Sequence, residues 1–265
     1  MSERDSYEPG TPSWVDHSSD DPDTAVAFYS GLFGWEAQDM MPSEAPGRYF
    51  MCRLRGRDVA GIGSQPTEGQ PPVWNTYIAV ADADSSAATA TSAGGTVVIE
   101  PFDVFEAGRM AVLQDPGGAY FMLWQPKGLR GAQLVNEPGA LSWNELTTRE
   151  VDGSLRFYGD LFGWRSNESE FDGGRYFTWH PAGEGSLDPS AAIGGMMPME
   201  GDIWPPELPS HWMTYFAVQD TDREAARAAE LGGRVVVAPF DTPAGRMSVL
   251  SDPLGGVFSV IALPA

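Results

Sequence analysis

One cysteine, Cys52, stands in 265 residues. No intrachain disulfide can form, and nothing in the chain calls for an oxidising compartment. Histidine is nearly as scarce, with only His17, His180 and His211. That limits metal centres, which need several imidazole, thiolate or carboxylate groups converging on one point. Positive charge is thin as well: 16 Lys and Arg face 37 Asp and Glu, for a formal charge of −21. Phosphate backbones and anionic membranes are bound by clustered cations, so nucleic acid and membrane surfaces are excluded as partners. A modest attraction for cationic ligands remains open. Long apolar runs are missing too. The longest, near "YFMLW" and "VFSVIAL", are strand-sized, far short of a bilayer. The start, "MSERDSYEPG", has neither the basic nor the apolar region of a signal peptide. These absences predict a soluble, cytoplasmic protein.

What the chain does hold is aromatic and repeated. Apolar residues make up 42 %, with 9 Trp and 11 Met, residue types that fill cores and line adaptable pockets. "LFGW" occurs at 32–35 and again at 161–164, an offset of 129. "FY" at 28–29 and 157–158, and Trp14 and Trp143, keep that offset. "GRYF" recurs at 47–50 and 174–177, "WxTYxAV" at 74–80 and 212–218 (with x any residue), and "PFD" at 101–103 and 239–241. "AGRM" at 107–110 and 244–247, and "DP" at 115–116 and 252–253, complete the same order. The offset drifts as loop insertions would make it drift. The chain is a duplication, and its period is too long for a solenoid, so each copy is a domain-sized module.

Within a copy, a short strand "PSWVDHS" leads to a helix with Asp21 as N-cap, Pro22 at its first position and Gly34 as its stop. "RYFMCRL" and "VAGIG" read as strands, and "SQPTEGQPPVW" as a loop. "NTYIAVAD", a helix over "DSSAATATSAGG", and strands "TVVIEPFDV", "RMAVLQD" and "AYFMLWQP" follow. Each copy therefore reads β-α-β-β and then β-α-β-β-β. The fold class is α+β, with helices laid against curved sheets. The expected division is a tail at 1–11, module 1 at 12–126, a linker at 127–139 and module 2 at 140–263.

With "D…A..FY…LFGW", "PFD" and "GRM…DP.G" in this order, the chain resembles the glyoxalase / bleomycin-resistance / extradiol-dioxygenase (vicinal oxygen chelate) superfamily over nearly its whole length. The resemblance implies tandem modules of paired βαβββ units around cavities, a pseudo-dimer in one chain. The branch it most resembles is the two-module actinobacterial one labelled glyoxalase-like or "hydroxylase", some members of which belong to aromatic-polyketide antibiotic pathways. Its enzymes hold a divalent metal on the first strand, the strand before the second helix, and the last strand. Those places fall on Trp14, Asn75 and Met122 in the first copy and on Trp143, Met213 and Ser259 in the second. None is His, Asp or Glu, so no catalytic metal and no cofactor are expected. His17 is expected on the opposite face of its strand, His180 at the mouth of a loop, and only His211 near a ligand place. A surface or loop setting is expected for all three.

Strand alternation then nominates a ligand-binding set on the inner faces. It comprises Trp14, Asp16, Asn75, Tyr77, Tyr120, Met122 and Trp124, with Met110 at the border. In the second copy it comprises Trp143, Glu145, His211, Met213, Tyr215 and Ser259, with Met247 at the border. Trp204, in the Pro-rich insertion "MMPMEGDIWPPELPSHW", is the candidate for an apolar lid or a packed linker. The expected function is binding of a hydrophobic aromatic natural product, anthracycline- or polyketide-like and cationic at one end. The role would be sequestration in self-resistance, or support of a tailoring oxygenase. The alternative is a metal-independent cyclase, isomerase or auxiliary hydroxylase with Glu145, Asp16 or His211 as catalytic base and Tyr77 or Tyr215 as acid. A metal-dependent glyoxalase or dioxygenase is disfavoured by the missing ligands.

Overall fold

The computed structural model describes residues 2–65, 67, 69–171 and 174–264. Each copy folds into one eight-stranded mixed sheet. The first sheet is built from β1 (Pro12–Ser19), β2 (Glu36–Asp39), β3 (Tyr49–Leu54), β4 (Arg57–Ser64), β5 (Val73–Ala79), β6 (Thr96–Val104), β7 (Gly108–Gln114) and β8 (Tyr120–Pro126), in the order 2-3-4-1-5-8-7-6. The second repeats that order with β9 (Leu141–Thr148), β10 (Arg165–Phe171), β11 (Gly174–His180), β12 (Gly194–Pro198), β13 (His211–Ala217), β14 (Arg234–Thr242), β15 (Gly245–Ser251) and β16 (Val257–Ala262). In each sheet the two first strands of the paired units lie antiparallel at the centre, β1 on β5 and β9 on β13. Both units of each module are βαβββ: β2 and β10 were not expected from the sequence. β2 reads "EAQD", four residues at the sheet edge whose one apolar side chain is the small Ala37, so hydrophobic periodicity gives no signal there.

Four helices cover one face of the sheets. The helix α1 (Pro22–Phe33) begins as its sequence predicts: the Asp21 side chain accepts from the Thr24 amide, and Gly34 closes it in the left-handed conformation at φ 73°. Its repeat α3 (Val151–Phe162) keeps the glycine stop, Gly163 at φ 69°, but has no side-chain cap. The shorter α2 (Ala83–Ser92) and α4 (Thr221–Glu230) bury alanines.

The modules dock across these helix-covered faces. Phe28, Tyr29 and Phe33 of α1 and Trp35 just beyond it pack on Phe216 and Phe258 of the second module. Phe157, Tyr158 and Phe162 of α3 pack in the same way on Phe121 of the first. The "LFGW" tryptophans close the arrangement. Trp35 Nε1 donates to the Gly139 carbonyl at 2.7 Å, and Trp164 Nε1 donates to the Gly10 carbonyl at 2.6 Å. Each tryptophan thus clasps the glycine that precedes the first strand of the other module. Both glycines sit at φ 84° and follow Glu-Pro, a further repeat at offset 129. Beneath the clasps lie two matching buried nodes. Tyr29 donates to Asp252 Oδ2 at 2.9 Å and accepts from Trp74 Nε1 at 2.8 Å. Tyr158 donates to Asp115 Oδ2 at 3.0 Å and accepts from Trp212 Nε1 at 3.0 Å.

Two expectations need correction here. His17 does face away from Trp14 and Asp16, since it stands opposite Trp74 in the β1–β5 register. It is not a surface residue, however: it is fully buried at the junction, where a partner from the other module replaces water. His180 is also fully buried, at the end of β11, with Thr178 Oγ1 2.9 Å from its Nε2. Of the two readings of the Met-rich insertion, the packed one describes it. Met196 belongs to β12 and is completely buried, Met199 is 6 % exposed, and the segment beyond is pinned by Arg149 to the carbonyls of Leu208 and Pro205.

Candidate functional site

The opposite, inner face of each sheet gathers the nominated residues. Residues paired across strands share a face, so the register can be followed sideways. Trp14 pairs with Tyr77, Tyr77 with Met122, Met122 with Val112, and Val112 with Ile99. One row thus crosses five strands. The row on one side of it runs Trp124, Met110, Phe102. In the second module Trp143, Tyr215, Ser259, Val249 and Val237 make the matching row, flanked by Ile261, Met247 and Phe240. At the β1 end these rows are buried. At the edge strands β6 and β14 they are open: Ile99 and Phe102 are both 41 % exposed, and Val237 and Phe240 are 44 and 39 % exposed; Tyr120 and Val257, at the starts of β8 and β16, are 52 and 40 % exposed. Each inner face is therefore an apolar wall that starts at solvent and ends on a buried tryptophan–tyrosine cluster.

A carboxyl sits at the buried end. Asp16 accepts from Tyr77 Oη at 2.7 Å, Tyr49 Oη at 3.2 Å and Asn75 Nδ2 at 2.9 Å, while Trp14 Nε1 donates to Tyr49 Oη at 3.2 Å. Glu145 accepts from Tyr215 Oη at 2.8 Å and also bonds Tyr176, whose hydroxyl takes the Trp143 Nε1 hydrogen at 2.9 Å. Among the described residues neither carboxyl meets a Lys, Arg or His side chain in an ion pair. Burial therefore dominates and raises both pKa values above the ordinary carboxylate range, with the amide and phenol donors only partly offsetting it. Burial and the neighbouring carboxyl push the four phenols well above 10.

Tyr49 and Tyr176 were not among the predicted site residues. They come from β3 and β11 and reach the carboxyl over a glycine: Gly61 stands opposite Asp16 and Gly195 opposite Glu145. A Cβ at Gly61 would strike the Tyr49 hydroxyl and lie 2.9 Å from Asp16 Cβ. One at Gly195 would strike the Tyr176 hydroxyl and lie 2.8 Å from Trp143 Nε1. The twin "GRYF" was the signal available for both tyrosines.

His211 shares the face of Met213 and Tyr215, opposite Thr147 and about 7 Å along the strand from the Glu145 rung. Its Nδ1 lies 2.8 Å from the Pro209 carbonyl oxygen, and burial holds its pKa below the usual imidazole value, partly offset by that contact. Trp204 is half-buried in a turn of the insertion. A cavity of about 450 Å³ opens between the N-terminal segment and β9, with Trp143, Tyr7 and Ile193 among its walls.

The donor set does not fit a divalent metal. The superfamily's ligand places carry Trp14, Asn75, Met122, Trp143, Met213 and Ser259, and each inner face has one carboxyl already engaged by phenols. Among the described residues no three of His, Cys, Asp and Glu stand together as a metal-binding group. Cys52 is buried on β3, its thiol pushed up to about 12 by burial, which leaves it unreactive. No helix of the described residues is long and apolar enough to cross a membrane.

Residues 13–123 match the Glyoxalase/Bleomycin resistance protein/Dioxygenase superfamily, and residues 144–261 match a glyoxalase-like domain. The chain is 43 % identical over 267 residues to a putative glyoxylase, CFP32, of Mycobacterium tuberculosis, covering 98 % of each. It is 34 % identical over 271 residues to the anthracycline biosynthesis protein DnrV of Streptomyces peucetius, covering 97 % of this chain and 94 % of that one. Among solved structures, the Mn(II)-bound glyoxalase from Novosphingobium aromaticivorans superposes with a TM-score of 0.64 at 18 % identity, covering 96 % of this chain and 82 % of that one. The 2,3-dioxygenase LapB from Pseudomonas sp. KL28 gives 0.64 at 15 %, covering 98 and 96 %. These distant structures share the fold. With two family matches in tandem and full-length relatives at this identity, the chain belongs to the glyoxalase / bleomycin-resistance / dioxygenase superfamily.

Proposed function

We propose that the protein is a metal-free binder of a hydrophobic, planar aromatic natural product, acting by sequestration or in support of a tailoring enzyme. The observation that carries this reading is the inner face itself: an exposed apolar wall leading to a tryptophan and to a buried carboxyl that lacks a cationic partner. Aromatic rings offer stacking worth on the order of 1 kcal/mol beyond the area they bury. A buried acid without a counter-charge suits a ligand that brings one. Similarity to an anthracycline biosynthesis protein over nearly the whole chain supports a ligand of that chemical type.

Titration of chelator-treated protein with an anthracycline, followed by tryptophan quenching and calorimetry, tests the proposal. Saturable binding at one or two equivalents, lost on Trp14→Ala or Trp143→Ala, is expected. Absence of binding, or a tightly held stoichiometric Zn, Fe, Mn or Ni needed for it, would overturn the reading. The raised carboxyls beside phenols at Asp16–Tyr77 and Glu145–Tyr215 favour one other reading, a metal-independent acid–base enzyme on the same ligands. Turnover abolished by Glu145→Gln with binding retained would mark that case.

A further inference from the structure

We infer that the two inner faces are not equivalent, and that the second module seats the cationic group of the ligand, with Glu145 as its counter-charge. This rests on the proposed binding function and names the site and the ligand chemistry.

The first difference is in hydrogen bonding. Asp16 receives three side-chain donors, and the third, Asn75, also donates to Ser18 Oγ at 3.0 Å. The repeat puts Met213 where Asn75 stands, facing Glu145 in the strand register as Asn75 faces Asp16. A thioether has no hydrogen to give. Glu145 keeps its two phenol donors, and the register place that the amide fills in the first module holds a thioether in the second.

The second difference is room. In the first module the last strand lays Met122 and Trp124 across the row, 8 and 4 % exposed. The second has Ser259 and Ile261 at those places, 0 and 6 % exposed, so the smaller serine is covered by its neighbours and the opening lies at the tryptophan instead. Trp14 is 2 % exposed, whereas Trp143 is partly open and borders the 450 Å³ cavity.

A protonated amine fits the second environment. It would meet a carboxylate oxygen in a charge-assisted hydrogen bond, an indole face and a methionine sulfur, with no Lys or Arg paired to Glu145. In the first module the same amine would have to displace the Asn75 amide and pass Met122. That module then contributes a closed, fully bonded cluster.

The test uses the full-length protein and a pair of probes, an anthraquinone carrying an amino sugar and its amine-free aglycone, titrated by calorimetry at neutral pH. The wild-type protein should bind one equivalent of the amine-bearing probe about tenfold or more tightly than the aglycone, as a charge-assisted contact implies. Glu145→Gln should abolish that preference while aglycone binding persists. Met213→Asn, which installs the amide found in the first module, should do the same and stands in if Glu145→Gln fails to fold. The double variant Asn75→Met with Met122→Ser should gain a second amine-preferring equivalent. Equal binding of the two probes, or a preference that survives both Glu145→Gln and Met213→Asn, would overturn the inference while leaving aromatic binding intact. Failure of the wild-type protein to bind either probe would overturn both.

Discussion

His17 Nε2 lies 2.8 Å from Asp252 Oδ2, and both side chains are completely shielded from solvent between the two modules. The quasi-equivalent place of His17 is Leu146, and that of Asp252 is Asp115. The space is adjusted to match. A Cβ on Gly256 would lie 2.7 Å from His17 Nε2 and 2.6 Å from Asp252 Oδ2, and at the repeat of Gly256 the chain has Ala119. The electrostatics differ accordingly. Burial raises both aspartates; at Asp252 the imidazole, the Gly256 amide and the Tyr29 hydroxyl outweigh it and bring the pKa below normal. Asp115 has no such ring and stays above.

Removing His17 takes one buried hydrogen bond from Asp252, which keeps those of the Tyr29 hydroxyl and the Gly256 amide, at about 1–3 kcal/mol. We expect His17→Leu to destabilise the protein by about that amount in urea unfolding. Gly256→Ala alone should also destabilise, because the new methyl group collides with the pair. The double variant His17→Leu, Gly256→Ala recreates the pattern of the other node and should be more stable than the sum of its parts by about 1–3 kcal/mol. Strict additivity would show that the two sites are uncoupled.

The clasps are expected to hold the modules together. Trp35→Phe and Trp164→Phe each remove one buried hydrogen bond to a glycine carbonyl and some packing. Each should cost about 1–3 kcal/mol, read as a lower midpoint of thermal or urea unfolding. Equal tolerance of both changes would mean that the aromatic packing alone suffices.

Gly61 and Gly195 leave the space through which Tyr49 and Tyr176 reach their carboxyls. Gly61→Ala or Gly195→Ala should displace the phenol concerned, and Gly195→Ala should also reduce ligand affinity. Neither position needs a positive φ, so the backbone itself tolerates alanine. Probe titration and the near-ultraviolet dichroism of the tyrosines would report the displacement.

The pH dependence of stability follows from the signs of the shifts. Glu145 and Asp16 have folded pKa values above their unfolded ones. Their favourable contribution is complete below the unfolded value near 4 and is lost as pH rises through the folded value. Asp252, held low, works the other way: its contribution is present above the unfolded value and is lost as pH falls through the folded one. Glu145→Gln should therefore flatten the decline of stability upward from about pH 4. A melting-temperature profile unchanged in slope by that substitution would contradict the buried, uncompensated carboxyl.

The sequence alone made much of this legible where local chemistry decides. The caps at Asp21 and Gly34, the strand periodicity of β1 and the ordered repeats gave the modules and the inner-face positions of Trp14, Asp16, Tyr77 and their partners. It failed where a neighbour distant in the chain decides. Tyr49 and Tyr176 become site residues only because β3 and β11 lie beside a glycine-bearing strand. His17 reads as a stray polar residue until the turn bearing Asp252 arrives from the other module. The insertion with Met196 and Met199 read as a lid or a packed linker alike, because a short apolar strand and a loose apolar loop share one composition.

The unequal nodes also bear on what covalent tandem linkage permits. In a symmetric homodimer of one module, every substitution at the junction appears twice, so a histidine gained at one node is imposed on the other. Joining the two copies in one chain lifts that constraint. One copy here has His17 and its partner has the glycine that accommodates it, while the mirror position has Leu146 and Ala119. The same freedom applies to Asn75 against Met213 and Met122 against Ser259. A fused pair can keep one half as scaffold and let the other drift toward a ligand.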